Sequence, residues 1–286
     1  MGVLFLGGDS RQKYACDFLN KNNIAAVAHL NFSLNKEIID KIRSSLIVVL
    51  PLPASRDGEH INMISQDSHK IRIVDIVDLI SPNSILMGGM IDEEIKTHLE
   101  ERQIKYIDYY DLEVFQIKNA LLSAEGAIFY AKEKFDGIIH GAKIAILGFG
   151  RIGKMLAYLL HAQGAKITVC ARRDTDCVWS KLVGFDGFKI KFSGNNSNVN
   201  LINNEYDIVF NTIPYWIMNE EFAKSRNKDT LIIDLASKPF GIDGELVDKY
   251  KLNYYKELGI PGRYAPKSAG EIIGLIIRNY LSAKGE

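Results

Sequence analysis

Short runs of apolar residues alternate along the whole chain with segments whose apolar positions recur at helical spacing. In the first half, the runs predicted to form buried strands are residues 3–6, 24–28, 46–50, 84–87 and 104–107. The segments predicted to form helices between them include residues 12–21, 71–79 and 91–102. After residue 140 the alternation restarts, with predicted strands at residues 143–147, 166–170, 206–210, 230–234 and 253–256. Strands that alternate with helices predict βαβ units, and therefore parallel sheets with helices on both faces.

The place where this pattern restarts predicts a boundary between two domains. Residues 111–135 form one long segment of helical pattern, which we interpret as the connection. The last segment, residues 268–281, has a broad apolar face, and a closing helix of this kind could return to the first domain. We therefore predict an N-terminal domain at residues 1–135, a second domain at 136–266 and a C-terminal helix at 267–286 that packs back across the domains.

A glycine-rich turn follows the first predicted strand of the second domain. Its glycines have the spacing G-x-G-x-x-G and precede a predicted helix at residues 154–163. In dinucleotide-binding proteins such glycines allow a tight turn, bring the backbone close to the pyrophosphate and let helix and strand pack closely. The pyrophosphate then lies on the free N–H groups at the start of the helix. The predicted cofactor contacts in this turn are Gly148, Phe149, Gly150, Arg151, Ile152 and Gly153.

The first domain contains a weak echo of the same turn. Residues 3–6 are a strand that ends in Gly7 and Gly8, but the third glycine is missing, so we do not predict a second dinucleotide site. The predicted fold class is α/β, with two Rossmann-like parallel-sheet domains joined by a long helix and a C-terminal helix that returns to the N-terminal domain.

The end of the next strand distinguishes between the two nicotinamide dinucleotides. An acidic residue there binds the ribose 2′-hydroxyl of NAD, whereas an arginine accommodates the 2′-phosphate of NADP. Here Arg172 and Arg173 follow the strand, and a carboxylate comes only at Asp174. The sequence therefore favours NADP as cofactor, with NAD as the alternative. Both arginines could also be solvated loop residues without a ligand.

Two further loops follow predicted strands of this domain. Ligands of open α/β sheets bind at the carboxyl ends of the strands, so we expect these loops beside the nicotinamide half of the cofactor. Either loop could instead be a turn with no ligand. The residues are Asn211, Thr212, Ile213, Pro214, Asp234, Leu235, Ala236 and Ser237.

Composition and charge argue against several classes of protein. The 35 lysines and arginines balance 35 acidic residues, which argues against a nucleic-acid or membrane-surface partner. The longest apolar run, residues 46–52, is far shorter than the roughly 20 residues of a membrane span. The chain starts without the basic region of a signal peptide, and its 3 cysteines suit reduced thiols. We therefore expect a cytoplasmic protein, and the histidine and cysteine spacing predicts no metal site.

Motifs spread over nearly the whole chain resemble those of the A-subunit family of dipicolinate synthase. Each motif alone is weak evidence for the resemblance, but the occurrence of all of them in the right order is specific. They are residues 7–12, residues 123–128, His140 and Gly141 before the glycine-rich turn, residues 211–214, residues 234–239, and residues 259–262 followed by 265–270. Two segments depart from the family. Residues 119–123 lack its usual proline, and residues 238–241 read Lys-Pro-Phe-Gly where the family has Ser/Arg-Pro-Gly-Gly.

The resemblance implies a pyridine-nucleotide oxidoreductase that forms dipicolinate (pyridine-2,6-dicarboxylate) from a dihydrodipicolinate in the mother cell of a sporulating bacterium. It also implies a second subunit that resembles a flavoprotein, and a homo-oligomer is compatible with it. The partner could bind the exposed side of the closing helix or the aromatic-rich residues 106–115, although these aromatic side chains could equally be core.

Such a reaction removes a hydride from one ring carbon and a proton from another, so the protein must orient the ring and help to remove the proton. A substrate with two carboxylates calls for arginine, lysine, hydroxyl groups or helix N-termini. The substrate-binding candidates are Ser10, Arg11, Gln12, Ser123, Arg263 and Ser268. The catalytic candidates are Glu125, as the base, and Lys267. Together they could line a cleft between the domains, although the N-terminal domain could instead be structural.

Two alternative functions remain open. One is a 2-hydroxyacid or amino-acid dehydrogenase of the same architecture, against which the chain has no evident Arg/Glu/His catalytic set. The other is a nucleotide-binding regulatory subunit without chemistry of its own. Its cofactor site would face a cleft without cationic groups.

Overall fold

The computed structural model describes residues 2–64, 70–193, 196–197 and 205–284, and these form two compact units. One unit consists of Met1–Asn119 with Pro261–Glu286, and the other is Ala120–Ile260. The division falls inside the long connecting helix rather than after residue 135. The second half of that helix packs on the second unit, where the rings of Tyr130 and Tyr255 lie 5.7 Å apart.

The first unit contains a parallel sheet of five strands in the order β2-β1-β3-β4-β5. The strands are β1 (Val3–Leu6), β2 (Ala26–His29), β3 (Ile47–Val49), β4 (Ile85–Gly88) and β5 (Lys105–Asp108). Successive side chains of a strand point to opposite faces. Accordingly, Leu4 and Leu6 lie in one buried cluster and Val3 and Phe5 in another. Because both faces are covered, the strands read as continuous apolar runs in the sequence.

Helices cover both faces of this sheet. They are α1 (Ser10–Lys21), α2 (Lys36–Ser44), α3 (Ile73–Val77), α4 (Glu93–Glu101) and the start of α5 (Glu113–Lys134). Side-chain oxygens of Asp9 and Asn35 accept hydrogen bonds from the first turns of α1 and α2. These caps explain why α1 begins directly after the Gly7–Gly8 turn.

The aromatic-rich segment between β5 and α5 belongs to the core. Tyr109 is fully buried and donates a hydrogen bond to the Leu50 carbonyl at 3.2 Å. Its ring lies 5.4 Å from that of Phe115, which is 2% exposed. Burial raises the pKa of Tyr109 well above its usual value. Residues 106–115 were predicted to be either a partner-binding surface or part of the core. For Tyr109 and Phe115, the core interpretation is correct.

The second unit contains a parallel sheet of six strands in the order β13-β12-β11-β6-β7-β8. Its members are β6 (Lys143–Leu147), β7 (Lys166–Ala171), β8 (Asp186–Lys189), β11 (Ile208–Asn211), β12 (Leu231–Asp234) and β13 (Tyr254–Lys256). A short antiparallel pair, β9 (Phe192–Ser193) and β10 (Asn196–Ser197), follows β8. Counted from the other edge, the strand order is β8-β7-β6-β11-β12-β13, which is the order of a dinucleotide-binding sheet. The direction in which successive strands are added reverses between β6 and β11.

The helices of the second unit are α6 (Arg151–Ala162), α7 (Asp174–Leu182), α8 (Glu220–Ser225) and α9 (Gly244–Tyr250). The chain then ends in α10 (Ile260–Tyr264) and α11 (Pro266–Lys284). Ile273 and Ile277 of α11 are buried in the core of the first unit, and a Cβ on Gly274 would meet Phe18 of α1 at 2.6 Å. Two parallel-sheet α/β units with a returning C-terminal helix confirm the predicted fold class. No helix in the described part of the chain is long and apolar enough to cross a membrane.

Candidate functional site

A pocket of ≈ 1080 Å³ lies at the carboxyl ends of the strands of the second unit. Its walls come from the loops at residues 148–150, 171–173, 189–191 and 212–215, with Asp176 added from α7. These loops follow β6, β7, β8 and β11, and thus surround the reversal of strand order where open α/β sheets bind ligands. The glycine-rich turn and the Arg172–Arg173 pair therefore face one pocket.

A side chain at each of the three glycines of the turn would have a different structural consequence. Gly148 has a φ of +105°, and a Cβ there would lie 2.2 Å from Thr212 Oγ1. A Cβ on Gly153 would lie 2.1 Å from the Gly148 carbonyl oxygen, so this glycine lets α6 pack against the turn. A Cβ on Gly150 would meet no described atom within 4 Å.

Gly150 is the N-cap of α6 and lines the pocket without a side chain. The space above it is the cradle in which a pyrophosphate can approach the backbone and the positive end of the helix. Gly148, Gly150 and Gly153 therefore fit a dinucleotide. The first two line the pocket, and Gly153 acts through packing.

The arginines after β7 are in two different situations. Arg173 is held by Asp176, whose Oδ2 accepts from Nε at 2.8 Å and whose Oδ1 accepts from Nη2 at 2.9 Å. This pairing raises the pKa of Arg173, first through the hydrogen bonds and then through the charge of Asp176. Arg172 is exposed, and no hydrogen bond of its side chain is found within the described ranges. It is therefore the guanidinium more available to a ligand.

Two lysines that no sequence pattern predicted to be in the site extend the cationic wall of the pocket. Lys189 ends β8 and donates to Asp174 Oδ2 at 2.6 Å, and Lys191 follows two residues later. The edge strand β8 has no fully buried residue, so its sequence lacks the apolar run that identified the other strands. Without the strand, nothing in the sequence placed these lysines beside Arg172.

The pocket contains only part of the predicted cofactor set. Thr212, Ile213 and Pro214 line it, as do Gly148, Phe149 and Gly150. Other predicted residues are outside its lining: Arg151, Ile152 and Gly153 on α6, the strand-end residues Asn211 and Asp234, and the loop residues Leu235, Ala236 and Ser237. For these residues a contact with the cofactor stays a prediction.

The side chains of Asn211 and Asp234 hold the two loops in place. Both residues are fully buried, and Asn211 Nδ2 donates to Asp234 Oδ1 at 2.8 Å. The Asp234 carboxylate also accepts from the backbone N–H of Ala236 and Gly241 and from the Tyr254 hydroxyl. Burial, and then the negative charge of Asp234, raises the pKa of Tyr254. These hydrogen bonds hold the two loops in their orientation at the ends of β11 and β12.

One departure from the family has a visible conformational effect. Phe240 stands where the family has glycine, and its φ is +72°, in the left-handed region that glycine adopts most readily. The Lys256 ammonium lies 4.4 Å from the centre of the Phe240 ring, a cation–π contact that offsets part of the backbone cost.

In the first unit, Ser10, Arg11 and Gln12 form the first turn of α1. The Arg11 guanidinium binds the Asp9 carboxylate and donates to the Leu52 carbonyl at 2.5 Å. A Cβ on Gly262 would lie 3.1 Å from Arg11 Cζ, so α10 passes directly over this side chain. The structure thus brings part of the predicted substrate set together.

The remaining candidates are more scattered. Lys267 lines a groove of ≈ 440 Å³ with Tyr14 and Asp17, along α1 and α11. Arg263 lies over the ring of Tyr264 at 5.3 Å, and Ser268 is exposed in α11. Ser123 and Glu125 lie within α5, not at a loop. Ser123 is buried and Glu125 is exposed.

Two family models match the chain. The model of the N-terminal domain of the dipicolinate synthase A-subunit matches residues 2–110. The model of the coenzyme F420-dependent NADP oxidoreductase family matches residues 143–238, which include the glycine-rich turn and Arg172. The second unit is therefore an oxidoreductase-type domain for a nicotinamide dinucleotide.

Relatives match along almost the whole length. The dipicolinate synthase A-subunit of Bacillus subtilis (strain 168) is 26% identical over 98% of this chain and 95% of that protein. The crystal structure of the dipicolinate synthase A-subunit from Bacillus halodurans has a TM-score of 0.84, 25% identity, and coverage of 98% and 97% of the two chains. The D-lactate dehydrogenase of Escherichia coli, at 11% identity with a TM-score of 0.62 over 100% and 98%, shares the fold. The chain is thus similar to dipicolinate synthase A-subunits over almost its whole length, and residues 2–110 match the N-terminal domain of that subunit.

Proposed function

We propose that the protein is an NADP-dependent oxidoreductase that converts dihydrodipicolinate to dipicolinate in sporulating bacteria. The observation that carries the proposal is the pocket of the second unit, where the open cradle at Gly150 shares one cavity with Arg172 and Lys191. The similarity to dipicolinate synthase A-subunits supports the choice of substrate. The cationic side chains that line this pocket argue against a regulatory subunit that has no catalytic activity of its own.

In this proposal the preference for NADP comes from charge at the ends of β7 and β8. A 2′-phosphate carries negative charge, and hydrogen bonds from cations to phosphate are stronger than neutral ones. Arg172 would donate directly to it. Arg173 and Lys189 each already bind a carboxylate of the protein. They would therefore act on the 2′-phosphate mainly through their nearby positive charge. NAD, which has only a hydroxyl there, would gain none of these charge-assisted bonds.

The reaction balances as dihydrodipicolinate plus NADP⁺ giving dipicolinate, NADPH and a proton. The cofactor supplies the hydride acceptor when bound. The protein binds the two carboxylates, orients the ring and takes the proton from a ring carbon. We propose Glu125, as the base, and Lys267 as the catalytic residues, and as substrate-binding residues Ser10, Arg11, Gln12, Ser123, Arg263 and Ser268. An exposed carboxylate on α5 can reach solvent to release the proton.

We also propose that the chain works in the mother-cell cytoplasm with a second, flavoprotein-like protein, the B-subunit of dipicolinate synthase. The Bacillus subtilis and Bacillus halodurans relatives are each named as the A-subunit of a synthase, which supports a complex. The exposed side of α11 remains our candidate for the contact, and the chain can in addition form a homo-oligomer.

Steady-state turnover tests this function. Purified chain would be mixed with NADP⁺ or NAD⁺ and freshly made dihydrodipicolinate, with and without the second subunit. We expect NADPH to form with dipicolinate, and kcat/KM to be at least about 10-fold higher with NADP⁺ than with NAD⁺, which corresponds to about 1.4 kcal/mol. Absence of enzyme-dependent NADP⁺ reduction in the isolated chain and in the mixture would contradict the proposal.

A further inference from the structure

The first unit contains a buried amide whose hydrogen-bonding capacity is unused. Gln12 is 1% exposed, and within the described residues neither its Nε2 nor its Oε1 has a hydrogen-bond partner. Almost all buried polar groups are hydrogen-bonded, because an unpaired one retains the full cost of desolvation. An amide kept in this state suggests a partner that binds from outside the chain.

The Gln12 side chain points toward the N-terminal end of α1. A Cβ on Gly8 would lie 2.7 Å from Gln12 Cγ and 3.6 Å from its Cδ. The side chain therefore runs back beneath the Gly7–Gly8 turn, the direction that helical side chains prefer. The same Cβ would lie 2.8 Å from Pro51 Cβ, so the amide group also lies near the loop after β3.

Arg11 carries a second set of available donors at the same loop. Its Nε and Nη2 bind Asp9, and Nη2 also donates to the carbonyl of Leu52, the neighbour of Pro51. The hydrogen bonds of the Arg11 side chain use only Nε and Nη2, so in the described part of the chain no residue accepts from the two N–H groups of Nη1. The Arg11 side chain is mostly buried, at 14% exposure, whereas the Asp9 side chain is 40% exposed, so a ligand can approach the turn from the Asp9 side.

We propose that Gln12 Nε2 and Arg11 Nη1, at the N-terminus of α1, form a binding subsite for one carboxylate of a cyclic dicarboxylate. The identity of this ligand rests on the proposed function. One carboxylate oxygen accepts from the Gln12 amide and the other accepts from the Arg11 guanidinium. The positive end of α1 adds a favourable field for the anion. Gln12 is then a determinant of carboxylate binding in a fold unit distinct from the cofactor pocket.

Calorimetric binding of pyridine-2,6-dicarboxylate to the full chain tests the subsite, with Gln12→Met as the variant. Methionine keeps the length of the side chain but has no amide. We expect Kd to rise by about 10-fold or more, the loss of one hydrogen bond to a charged group. We also expect Tm to stay the same or rise by about 2–4 °C, because an unpaired buried amide is removed.

Gln116→Met is the matched control in the same unit. The amide of Gln116 has a partner, since Nε2 donates to the Tyr110 carbonyl at 2.9 Å. Its replacement should lower Tm and leave Kd unchanged. If Gln12→Met does not fold, Gln12→Glu has nearly the same shape, and its charge should weaken binding at neutral pH and allow recovery at acidic pH. An unchanged Kd in a folded Gln12 variant would overturn the subsite.

Binding and turnover distinguish this inference from the function on which it rests. If the wild type oxidises dihydrodipicolinate with NADP⁺ but the Gln12 variants keep Kd and KM, the subsite fails and the function stands. If the wild type binds pyridine-2,6-dicarboxylate through Gln12 but shows no turnover with or without the second subunit, the subsite stands and the function fails.

Discussion

Individual side chains at the strand ends divide into those that can meet a ligand and those that hold the loops. Arg172 is exposed in the pocket, whereas Asn211 and Asp234 are fully buried and bind one another. In the sequence these residues looked equivalent, since each follows an apolar run. Burial separates them, and it depends on which neighbours the fold brings to each loop.

Arg172→Ala should weaken NADP⁺ binding about 10-fold or more and leave NAD⁺ binding unchanged. The reason is the loss of a hydrogen bond to a charged group, worth about 1.5–3 kcal/mol. Arg173→Ala should have a smaller effect, because its guanidinium is held by Asp176. Isothermal titration with both cofactors measures this, and Lys181→Ala on α7 is the control. Equal losses for NADP⁺ and NAD⁺ would mean that Arg172 does not recognise the 2′-phosphate.

Glu125→Gln should lower kcat by about 10²–10⁴-fold, the usual contribution of a general base, while the Kd of NADP⁺ stays the same. Glutamine retains the shape of the side chain but cannot take a proton. Glu133→Gln, another exposed position of α5, is the control. A kcat equal to that of the wild type would remove Glu125 from the mechanism.

At the scale of elements, strands with both faces buried and helices with glycine-rich starts were predictable. The run at residues 3–6 coincides with β1, and the run at residues 143–147 coincides with β6. The edge strand β8 was not predictable, because its residues are half-exposed and do not form an apolar run. Its ladder with β7 arises only when the sheet forms, and with it Lys189 and Lys191 enter the pocket.

Gly150→Ala should weaken dinucleotide binding by about 10-fold or more and reduce the free energy of unfolding by no more than about 1 kcal/mol. The added methyl group meets no described protein atom within 4 Å, but it occupies the space for the pyrophosphate. Gly244→Ala, also in open space at the start of α9, is the control. Titration calorimetry and urea unfolding give the two quantities. Unimpaired binding of Gly150→Ala would contradict the assignment of the cradle.

The pair α8 and α9 should make stability depend on acidic pH. Glu220 Oε1 accepts from Lys249 Nζ and from the Tyr250 hydroxyl, each at 2.6 Å, and these bonds lower the pKa of Glu220 to about 2. Because the pKa of Glu220 is lower in the folded state, ionised Glu220 stabilises the fold at pH values above its ordinary pKa of 4.5. This stabilisation disappears as the pH falls toward 2.

Glu220→Gln should therefore be less stable than the wild type at pH values above about 5, with a difference that shrinks toward pH 2. Urea unfolding across this range measures the difference, and Glu245→Gln on α9 is the control. A difference independent of pH would show that the ionised form of Glu220 is not what stabilises the pair.

At the scale of the whole molecule, the sequence predicted two α/β units, a long connecting helix and a C-terminal helix that returns to the first unit. Apolar periodicity carries this information, because it reflects burial along each element. The unpaired amide of Gln12 could not be predicted. It depends on how the residues of the first unit pack around this side chain, and among the described residues none pairs with its Nε2 or Oε1.

A single-turnover experiment tests the central claim most directly. The chain would be saturated with NADP⁺, with its second subunit present, and mixed with less than one equivalent of dihydrodipicolinate, while NADPH and dipicolinate are quantified together. We predict equal amounts of both products, formed together, and about 10-fold slower formation of both when Gly150→Ala replaces the wild type in a parallel reaction with NADP⁺ well below saturation. Dipicolinate formed without NADPH, or no enzyme-dependent formation of either product, would contradict an NADP-dependent dehydrogenase.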